Sequence, residues 1–163
     1  MIGDSITRGI EWTDLFPGVR IVNRGIDGDT TADILARIEP LKAARAQKVF
    51  LMIGVNDLGQ GIDPAAIAAR YRKILDALKA PGTQIYVQSV LFVADRLGLN
   101  QKIKALNAEL KSFCENGDCI FVDLNASLAP DGFLPDAVSG DGLHLNARGY
   151  AMWRDHISRF VSR

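Results

Sequence analysis

Short runs of β-branched and aliphatic residues alternate along this chain with longer segments in which apolar residues recur every three or four positions. The run at 49–53 is almost continuously apolar, which is typical of a strand that is covered on both faces. A repeated alternation of strand and helix predicts right-handed crossovers, and therefore a parallel sheet between layers of helices. Besides a short first strand at 1–2, the strand candidates lie at 19–22, 49–53, 85–87 and 120–122.

The helical segments between these strands begin or break at recognisable residues. Asp63 and Pro64 predict an N-cap followed by a proline in the first turn, where the missing N–H costs nothing. Asn100 and Asn146 are predicted to cap the next helix and the last helix. An earlier helix must bend or restart near Pro40, because an internal proline removes a hydrogen bond and clashes with the preceding turn.

Length and composition indicate one domain over residues 1–163. Hydrophobic residues make up 48% and charged residues 23% of the chain, close to the average of globular proteins. Nineteen Lys and Arg balance nineteen Asp and Glu, which removes the broad positive field that nucleic acids and anionic membranes require. The longest apolar run, at 49–55, is far shorter than the about 20 residues that cross a bilayer. We expect no nucleic-acid partner and no stable membrane insertion, and the oligomeric state stays open.

The compartment and the state of the two cysteines are less constrained by the sequence. No basic segment followed by an apolar one indicates a signal peptide, so the cytoplasm is favoured, although a cleaved segment would leave no trace. Cys114 and Cys119 flank a turn-like segment at 115–118. We expect two unpaired structural thiols, with a disulfide left open for an oxidising compartment.

The polar motifs of interest follow the predicted strands or precede the last helix. Gly-Asp-Ser occupies 3–5, Asn-Arg-Gly occupies 23–25 and Gly-Val-Asn-Asp occupies 54–57, each just after a strand. Asp-Gly-Leu-His occupies 141–144, before the last helix. Each motif alone is an ordinary turn sequence. Their joint occurrence at successive strand ends, where open α/β sheets bind ligands, predicts a site there.

Together these motifs contain the groups of a serine hydrolase. Ser5 is the candidate nucleophile, since a hydroxyl attacks once a neighbouring imidazole takes its proton. His144 is the candidate base, and Asp141 would fix its tautomer and stabilise the imidazolium. A negatively charged oxygen that develops during the reaction needs preorganised donors. The candidates are the backbone N–H groups of Ser5 and Gly25 and the side-chain amide of Asn56.

Over nearly its whole length the sequence resembles the SGNH hydrolase family of GDSL esterases and lipases. The first block of that family is matched at 3–7, the second at 23–29 and the third at 54–57. The last block is matched at 141–146 and runs on into Gly149 and Tyr150. The one departure is the missing front of the first strand, where only two residues precede Gly3 and natural residues before Met1 are either dispensable or absent.

The resemblance implies an α/β fold, a flavodoxin-like three-layer α/β/α sandwich with a central parallel five-stranded sheet. It implies Ser5, Asp141 and His144 as the catalytic triad, and Ser5, Gly25 and Asn56 as the oxyanion hole. It also implies a reaction through an acyl-enzyme intermediate that requires no cofactor and no metal.

The expected substrate is a small acyl ester, with an acetylated sugar favoured. No lid helix lies between the motifs, and only 89–97 and 133–135 are placed to wall an acyl pocket, so a long chain would stay in water. Trp12 is a further pocket candidate because it lies a few residues past Ser5, whereas His156 is expected on the half-exposed surface of the last helix. A lysophospholipase or thioesterase that takes longer chains is the alternative.

Two other classes of protein compete with an esterase. A non-catalytic binding module of the same fold would have no need to keep nucleophile, base, orienting acid and amide donor together. A metal-dependent hydrolase would leave Ser5, Gly25 and Asn56 without roles. Its oxygen-rich ligand set would be the carboxylates of Asp4, Asp27, Asp29, Asp57 and Asp141, with the imidazole of His144.

Overall fold

Five parallel strands form one sheet in the spatial order β2-β1-β3-β4-β5. The structure is a computed structural model that describes residues 1–94 and 97–161, with the backbone only at Leu97. The strands are β1 Ile2–Gly3, β2 Arg24–Gly25, β3 Lys48–Met52, β4 Gln84–Gln88 and β5 Ile120–Val122. The parallel five-stranded sheet expected from the sequence is confirmed.

Helices surround this sheet and complete the expected α/β/α architecture. In the described part of the chain they are α1 Ser5–Arg8, α2 Trp12–Leu15, α3 Thr31–Ala36, α4 Ile38–Ala43, α5 Val55–Gly59, α6 Pro64–Leu78, α7 Leu97–Glu115, α8 Asn125–Leu128 and α9 Ala147–Val161. Helix α6 packs against α3, α4 and α7, while α8 packs against α9. No described helix has the length and apolar character that a membrane span requires.

The core is built around β3, β4 and the aromatic side chains of α9. Phe50 and Tyr86 stack with ring centroids 4.5 Å apart on neighbouring strands. Trp153 is fully buried, and its ring meets that of Trp12 edge-on at 4.8 Å. Trp12 is only 1% exposed and donates from Nε1 to the Thr7 carbonyl. The prediction that Trp12 lines a pocket is therefore wrong, because its ring fills the core.

The second strand lies later in the chain than predicted. The candidate at 19–22 is wrong, since β2 spans Arg24–Gly25, where Ile2 pairs with Arg24 and Gly3 pairs with Gly25. A strand exists only where a neighbouring backbone pairs with it, and β1 offers just two residues. The apolar run at 19–22 belongs to the segment that precedes β2, and Val22 in that segment is 47% exposed.

Most helix boundaries follow the sequence signals. Asp63 accepts from the Ala65 N–H at 2.8 Å, and Asn146 accepts from the Gly149 N–H at 3.1 Å, so both predicted N-caps are confirmed. The chain restarts between α3 and α4, two residues before Pro40. Asn100 is not a cap, because α7 already begins at Leu97 and Asn100 lies in its first turn.

The two cysteines form a disulfide, so the expectation of two unpaired thiols is wrong. Cys114 lies in the last turn of α7 and Cys119 precedes β5, with Cα atoms 4.6 Å apart. The turn between them reverses at Gly117, whose φ of +86° is readily adopted only by glycine. The bridge lies at the amino end of β5, away from the carboxyl ends of the strands.

Candidate active site

Ser5, His144 and Asp141 form a continuous hydrogen-bonded chain at the carboxyl end of β1. Oγ of Ser5 lies 3.0 Å from Nε2 of His144. Nδ1 of His144 lies 2.7 Å from Oδ2 of Asp141. An ionised carboxylate accepts only, so Nδ1 carries the hydrogen and Nε2 is free to accept from the serine hydroxyl. This is the arrangement in which an imidazole acts as general base toward a serine.

Ser5 owes its position to the junction between β1 and α1. It is the first residue of α1, and the preceding Asp4 caps the helix by accepting from the Ile6 N–H at 3.0 Å. Tyr150 of α9 donates from its hydroxyl to the Ile6 carbonyl at 2.8 Å. The candidate nucleophile is therefore positioned by the cap of its own helix and by a hydrogen bond from the last helix.

A tight turn places Asp141 beside His144. Oδ1 of Asp141 accepts from the N–H groups of Leu143 and His144, at 2.9 and 2.7 Å, while its other oxygen holds the imidazole. The turn passes through Gly142, whose φ is +77° and whose N–H donates to Oγ of Ser139. One carboxylate thus fixes both the backbone and the imidazole ring of His144, which explains the three-residue spacing between the two residues.

Two carboxyl groups near the nucleophile have opposite electrostatic environments. The hydrogen bond from His144, followed by those from the N–H groups of Leu143 and His144, lowers the pKa of Asp141. Asp141 is therefore ionised, as an orienting acid must be. Burial raises the pKa of Asp4 to about 6, against the lowering effect of the Ile6 N–H. Asp4 is only 1% exposed and has no hydrogen bond to the imidazole among those the structure records.

The three predicted oxyanion donors differ in whether they have a hydrogen that no other acceptor occupies. The N–H of Ser5 begins α1 and so has no intrahelical acceptor. Asn56 donates one Nδ2 hydrogen to the Asp29 carbonyl at 2.9 Å, which leaves its second hydrogen. The N–H of Gly25 already donates to Oδ1 of Asn23 at 3.0 Å. An oxyanion at Gly25 would have to share that N–H with Asn23.

Glycine at position 25 is required by packing against α1. A Cβ at Gly25 would lie 2.5 Å from the Arg8 nitrogen and 2.8 Å from the Asp4 carbonyl oxygen. The physical reason is the close approach of β2 to the helix that carries Ser5.

The carboxylates that a metal-dependent enzyme would use are dispersed among other partners. Asp27 pairs with Arg8, Asp29 with Arg37, Asp57 with Arg70, and Asp141 with His144. Within residues 1–94 and 97–161, no group of three or more His, Cys, Asp or Glu side chains is placed to hold a metal ion.

Asp57 and Arg37 have structural roles that the sequence did not reveal. Asp57 is fully buried and accepts from the N–H and the hydroxyl of Thr31, at 2.9 and 2.5 Å, and from Arg70. In the sequence Asp57 is part of a turn motif and a candidate metal ligand, and neither interpretation predicts this buried contact with Thr31 and Arg70. Arg37 lies between α3 and α4 with no motif around it, so no signal in the sequence marks it.

A second serine–histidine contact lies outside this site. Oγ of Ser127 is 2.6 Å from Nδ1 of His156, which joins α8 to α9. His156 is half-buried, as expected, and burial lowers its pKa. No carboxylate hydrogen bond to its other ring nitrogen is recorded in the described residues, so this pair lacks a contact like that of His144 with Asp141.

A cavity at the opposite ends of the strands is separate from Ser5, His144 and Asp141. It measures about 580 Å³ and is lined by the segment before β2, the start of β3 and the end of α9. These are the amino ends of the strands, whereas Ser5 follows the carboxyl end of β1. The triad lies instead on an open surface, with the His144 and Asp141 side chains 44% and 56% exposed.

The sequence matches a family model and several curated proteins. The model described as the GDSL-like lipase/acylhydrolase family matches residues 1–152. An N-acylneuraminate cytidylyltransferase from Streptococcus agalactiae serotype III is 25% identical over 162 residues, which is 99% of this chain and 38% of that protein. An arylesterase from Vibrio mimicus is 27% identical over 105 residues, covering 55% of this chain and 52% of that protein. The chain thus spans about 38% of the length of the first of these relatives and about half of the second.

Solved structures share the fold over almost the entire chain. A GDSL-like lipase from Bacteroides thetaiotaomicron superposes with a TM-score of 0.88 at 21% identity, covering 99% of this chain and 85% of that one. A catalytic mutant of an acetylxylan esterase from Geobacillus stearothermophilus superposes with a TM-score of 0.82 at 22% identity, covering 98% and 91%. At these identities the likeness establishes the fold.

Proposed function

Because the chain belongs to the GDSL-like lipase/acylhydrolase family, we propose that it is a serine esterase in which Ser5, His144 and Asp141 are the catalytic triad. The observation that carries this proposal is the unbroken contact from Ser5 Oγ through both nitrogens of His144 to Asp141, at 3.0 and 2.7 Å. A binding module would have no need to hold a hydroxyl, an imidazole and a carboxylate in this order.

In the acylation half-reaction, Oγ of Ser5 attacks the ester carbonyl carbon while Nε2 of His144 takes the hydroxyl proton. The tetrahedral intermediate collapses as the ester C–O bond breaks, and His144 returns the proton to the leaving alcohol. Water then attacks the acyl-enzyme with His144 again as the base, which releases the acid and regenerates Ser5. Asp141 remains ionised throughout and stabilises the imidazolium that forms in each step.

Oxyanion stabilisation is proposed for the N–H of Ser5, the free Nδ2 hydrogen of Asn56 and the N–H of Gly25. The first two have a donor hydrogen available, while the third is shared with Asn23. Such donors act on the charge that develops in the transition state, and removal of one typically lowers kcat by about 10²- to 10³-fold.

The proposed substrate is an ester of a short acyl group, with acetyl favoured. His144 and Asp141 are 44% and 56% exposed, so the reaction centre lies at the surface. A long acyl chain bound there would keep most of its methylenes in water and forgo about 0.8 kcal/mol for each one left unburied. An open site also admits a bulky alcohol portion, such as a carbohydrate.

An acetylated sugar is the proposed natural substrate class. The Geobacillus stearothermophilus neighbour is an acetylxylan esterase, and the Streptococcus agalactiae relative is named for N-acylneuraminate. Both names refer to acylated sugars. The acyl group of an N-acylneuraminate is an amide, so it is the acetylxylan ester, together with the open site, that favours deacetylation of a sugar hydroxyl over action on a lipid.

The test is a series of p-nitrophenyl esters from acetate to octanoate, measured with the wild-type protein and with Ser5→Ala. Acetylated xylo-oligosaccharides and an O-acetylated sialic acid serve as sugar substrates. We expect kcat/KM to be highest for acetate and to vanish in Ser5→Ala. A steady rise of kcat/KM toward octanoate would contradict the short-chain assignment, and full activity in Ser5→Ala would contradict the serine mechanism.

A further inference from the structure

Arg37 makes contacts with the segments that carry Ser5 and Gly25 and with Asp29, whose carbonyl accepts from Asn56. Its Nη2 donates to the carbonyl of Arg24 at 2.8 Å and to the carbonyl of Gly3 at 3.4 Å. Its Nε donates to Oδ2 of Asp29 at 2.8 Å, and the two groups form an ion pair. Arg37 thus spans the end of β1, the end of β2 and the turn that follows β2.

Each contact lies next to one proposed donor. The carbonyl of Arg24 and the N–H of Gly25 belong to the same peptide unit, so a hydrogen bond to one fixes the plane of the other. Gly3 lies two residues before Ser5. The carbonyl of Asp29 accepts the Nδ2 hydrogen of Asn56 at 2.9 Å, and this bond sets the direction of the remaining hydrogen.

We propose that Arg37 is a positioning residue that holds these donors in one geometry for the transition state. This inference rests on the proposed function and adds to it a residue that touches neither Ser5 nor the reacting atoms. The ion pair is sheltered, with the Arg37 and Asp29 side chains 20% and 10% exposed, so water does little to loosen it. A guanidinium ion is suited to this role because its donors are held in a rigid plane and reach several acceptors at once.

Lysine is the informative replacement at this position. Its ammonium is a compact charge that preserves attraction to Asp29 but lacks the planar fork that reaches the carbonyls of Gly3 and Arg24 together. If Arg37 were needed only to balance the buried Asp29, Arg37→Lys would retain both stability and activity. If Arg37 positions the donors, Arg37→Lys retains stability and loses turnover.

Lys48 supplies a matched control at the other end of the sheet. Its Nζ donates to the carbonyls of Phe160 and Val161 at 2.8 and 3.2 Å, so it too is a cation that fixes backbone carbonyls. It lies at the start of β3, away from the triad. Lys48→Met should therefore lower the melting temperature without an effect on kcat.

The experiment compares wild type, Arg37→Lys, Arg37→Met and Lys48→Met below their melting temperatures on p-nitrophenyl acetate. We expect kcat to fall about 10-fold or more in Arg37→Lys and about 10²-fold in Arg37→Met, with KM nearly unchanged, as for a misplacement of catalytic groups. Affinity for a short alkyl boronic acid, which forms a tetrahedral adduct with a catalytic serine, should fall in parallel with kcat.

Wild-type kcat in folded Arg37→Lys, or a change confined to KM or to the melting temperature, would overturn the role of Arg37. Should Arg37→Met fail to fold, the lysine variant alone decides. Ser5→Ala is measured alongside to separate the two proposals. Loss of activity in Ser5→Ala with full activity in Arg37→Lys removes only the Arg37 inference, whereas activity in Ser5→Ala removes the proposed function itself.

Discussion

Oγ of Ser5 lies 3.0 Å from Nε2 of His144, although 139 positions of sequence separate the two residues. The contact joins the first turn after β1 to the loop before α9, so it forms only when the fold brings these two segments together. Because β1 has just two residues, the position of Ser5 depends on neighbours such as Tyr150 of α9 as well as on its own strand. The fold therefore positions Ser5 and His144, the proposed nucleophile and base, together.

The Ser5→Ala variant should lose about 10³-fold or more in kcat with its fold intact, because members of a triad act together. Ser127→Ala is a matched control, since Ser127 also contacts a histidine, at 2.6 Å, but a different one from the histidine that Asp141 bonds. We expect wild-type activity in the control. Steady-state kinetics on p-nitrophenyl acetate, with circular dichroism as the check of folding, measures both. Equal losses in the two variants would argue against Ser5 as nucleophile.

Replacement of Asp141 by Asn should lower kcat by up to about 10⁴-fold, because the carboxylate that fixes the imidazole tautomer is lost. Asn retains an oxygen for the N–H groups of Leu143 and His144, so the turn should survive. The fold of the loop is checked by the thermal unfolding midpoint. A variant with wild-type kcat would show that Asp141 shapes the turn and does nothing further.

The Asn56→Ala variant should lose about 10²- to 10³-fold in kcat with little change in KM, because its amide is proposed to bond the transition-state oxygen. This corresponds to about 3–4 kcal/mol of transition-state stabilisation. The comparison variant is Asn107→Ala, since Asn107 also bonds backbone, at Val90, but within the packing of α7. A rise in KM without a fall in kcat would make Asn56 a substrate-binding residue instead.

The buried carboxyl of Asp4 should make stability fall as pH rises. Its pKa is raised to about 6 in the folded protein by burial, so the folded state binds the proton more tightly than the unfolded chain does. The contribution of the Asp4 carboxyl to the free energy of unfolding is fully present below the unfolded pKa of about 3.9. This contribution is lost as the pH rises through the folded pKa of about 6. A shift of this size corresponds to a cost of about 3 kcal/mol at neutral pH.

Asp4→Asn removes this titration but keeps an oxygen for the Ile6 N–H. The free energy of unfolding of Asp4→Asn relative to wild type should therefore rise between about pH 4 and about pH 7, by up to about 3 kcal/mol. Urea unfolding of both proteins at these two pH values measures the difference. A difference that stays constant with pH would mean that Asp4 ionises in the folded protein as it does in the unfolded chain.

The disulfide should contribute to stability and leave catalysis unchanged. Its cysteines are five positions apart, and closing such a short loop is worth about 2 kcal/mol in the chain-entropy model. The double variant Cys114→Ser/Cys119→Ser should lose about that free energy of unfolding, measured in urea, with wild-type kcat. A fall in kcat would reveal coupling between the start of β5 and the triad, which lie at opposite ends of the strands.

Several features followed from local sequence because local physics decides them. The alternation of apolar strands and amphipathic helices predicted the parallel sheet. Asp63 and Asn146 are helix caps because their side chains accept from N–H groups two and three residues further along the chain. The turn that joins Asp141 to His144 is equally local, since its acceptor and donors lie within three residues.

Other features depend on residues that are distant in sequence, and there the predictions failed or were silent. β2 lies at Arg24–Gly25 because β1 pairs there, and not where the apolar pattern is strongest. Asn100 lies within α7, and its side chain accepts from the Val93 N–H at 2.9 Å and donates to the Val93 carbonyl at 2.8 Å. The sequence does not distinguish an asparagine that holds a loop in this way from one that caps a helix. Cys114 and Cys119 are bridged because their Cα atoms come within 4.6 Å, which their spacing permits but does not require.

The sequence by itself determined which chemical groups stand at the strand ends, and so which residues are candidates for catalysis. Only the tertiary structure decided how these residues are held. It shows that position 25 must be a glycine because α1 packs against it. It also shows that Arg37 links the segments beside Ser5, Gly25 and Asn56. Composition and periodicity record what a residue is and which face it occupies. Contact between segments tens of residues apart is set by strand order and register, which no local pattern encodes.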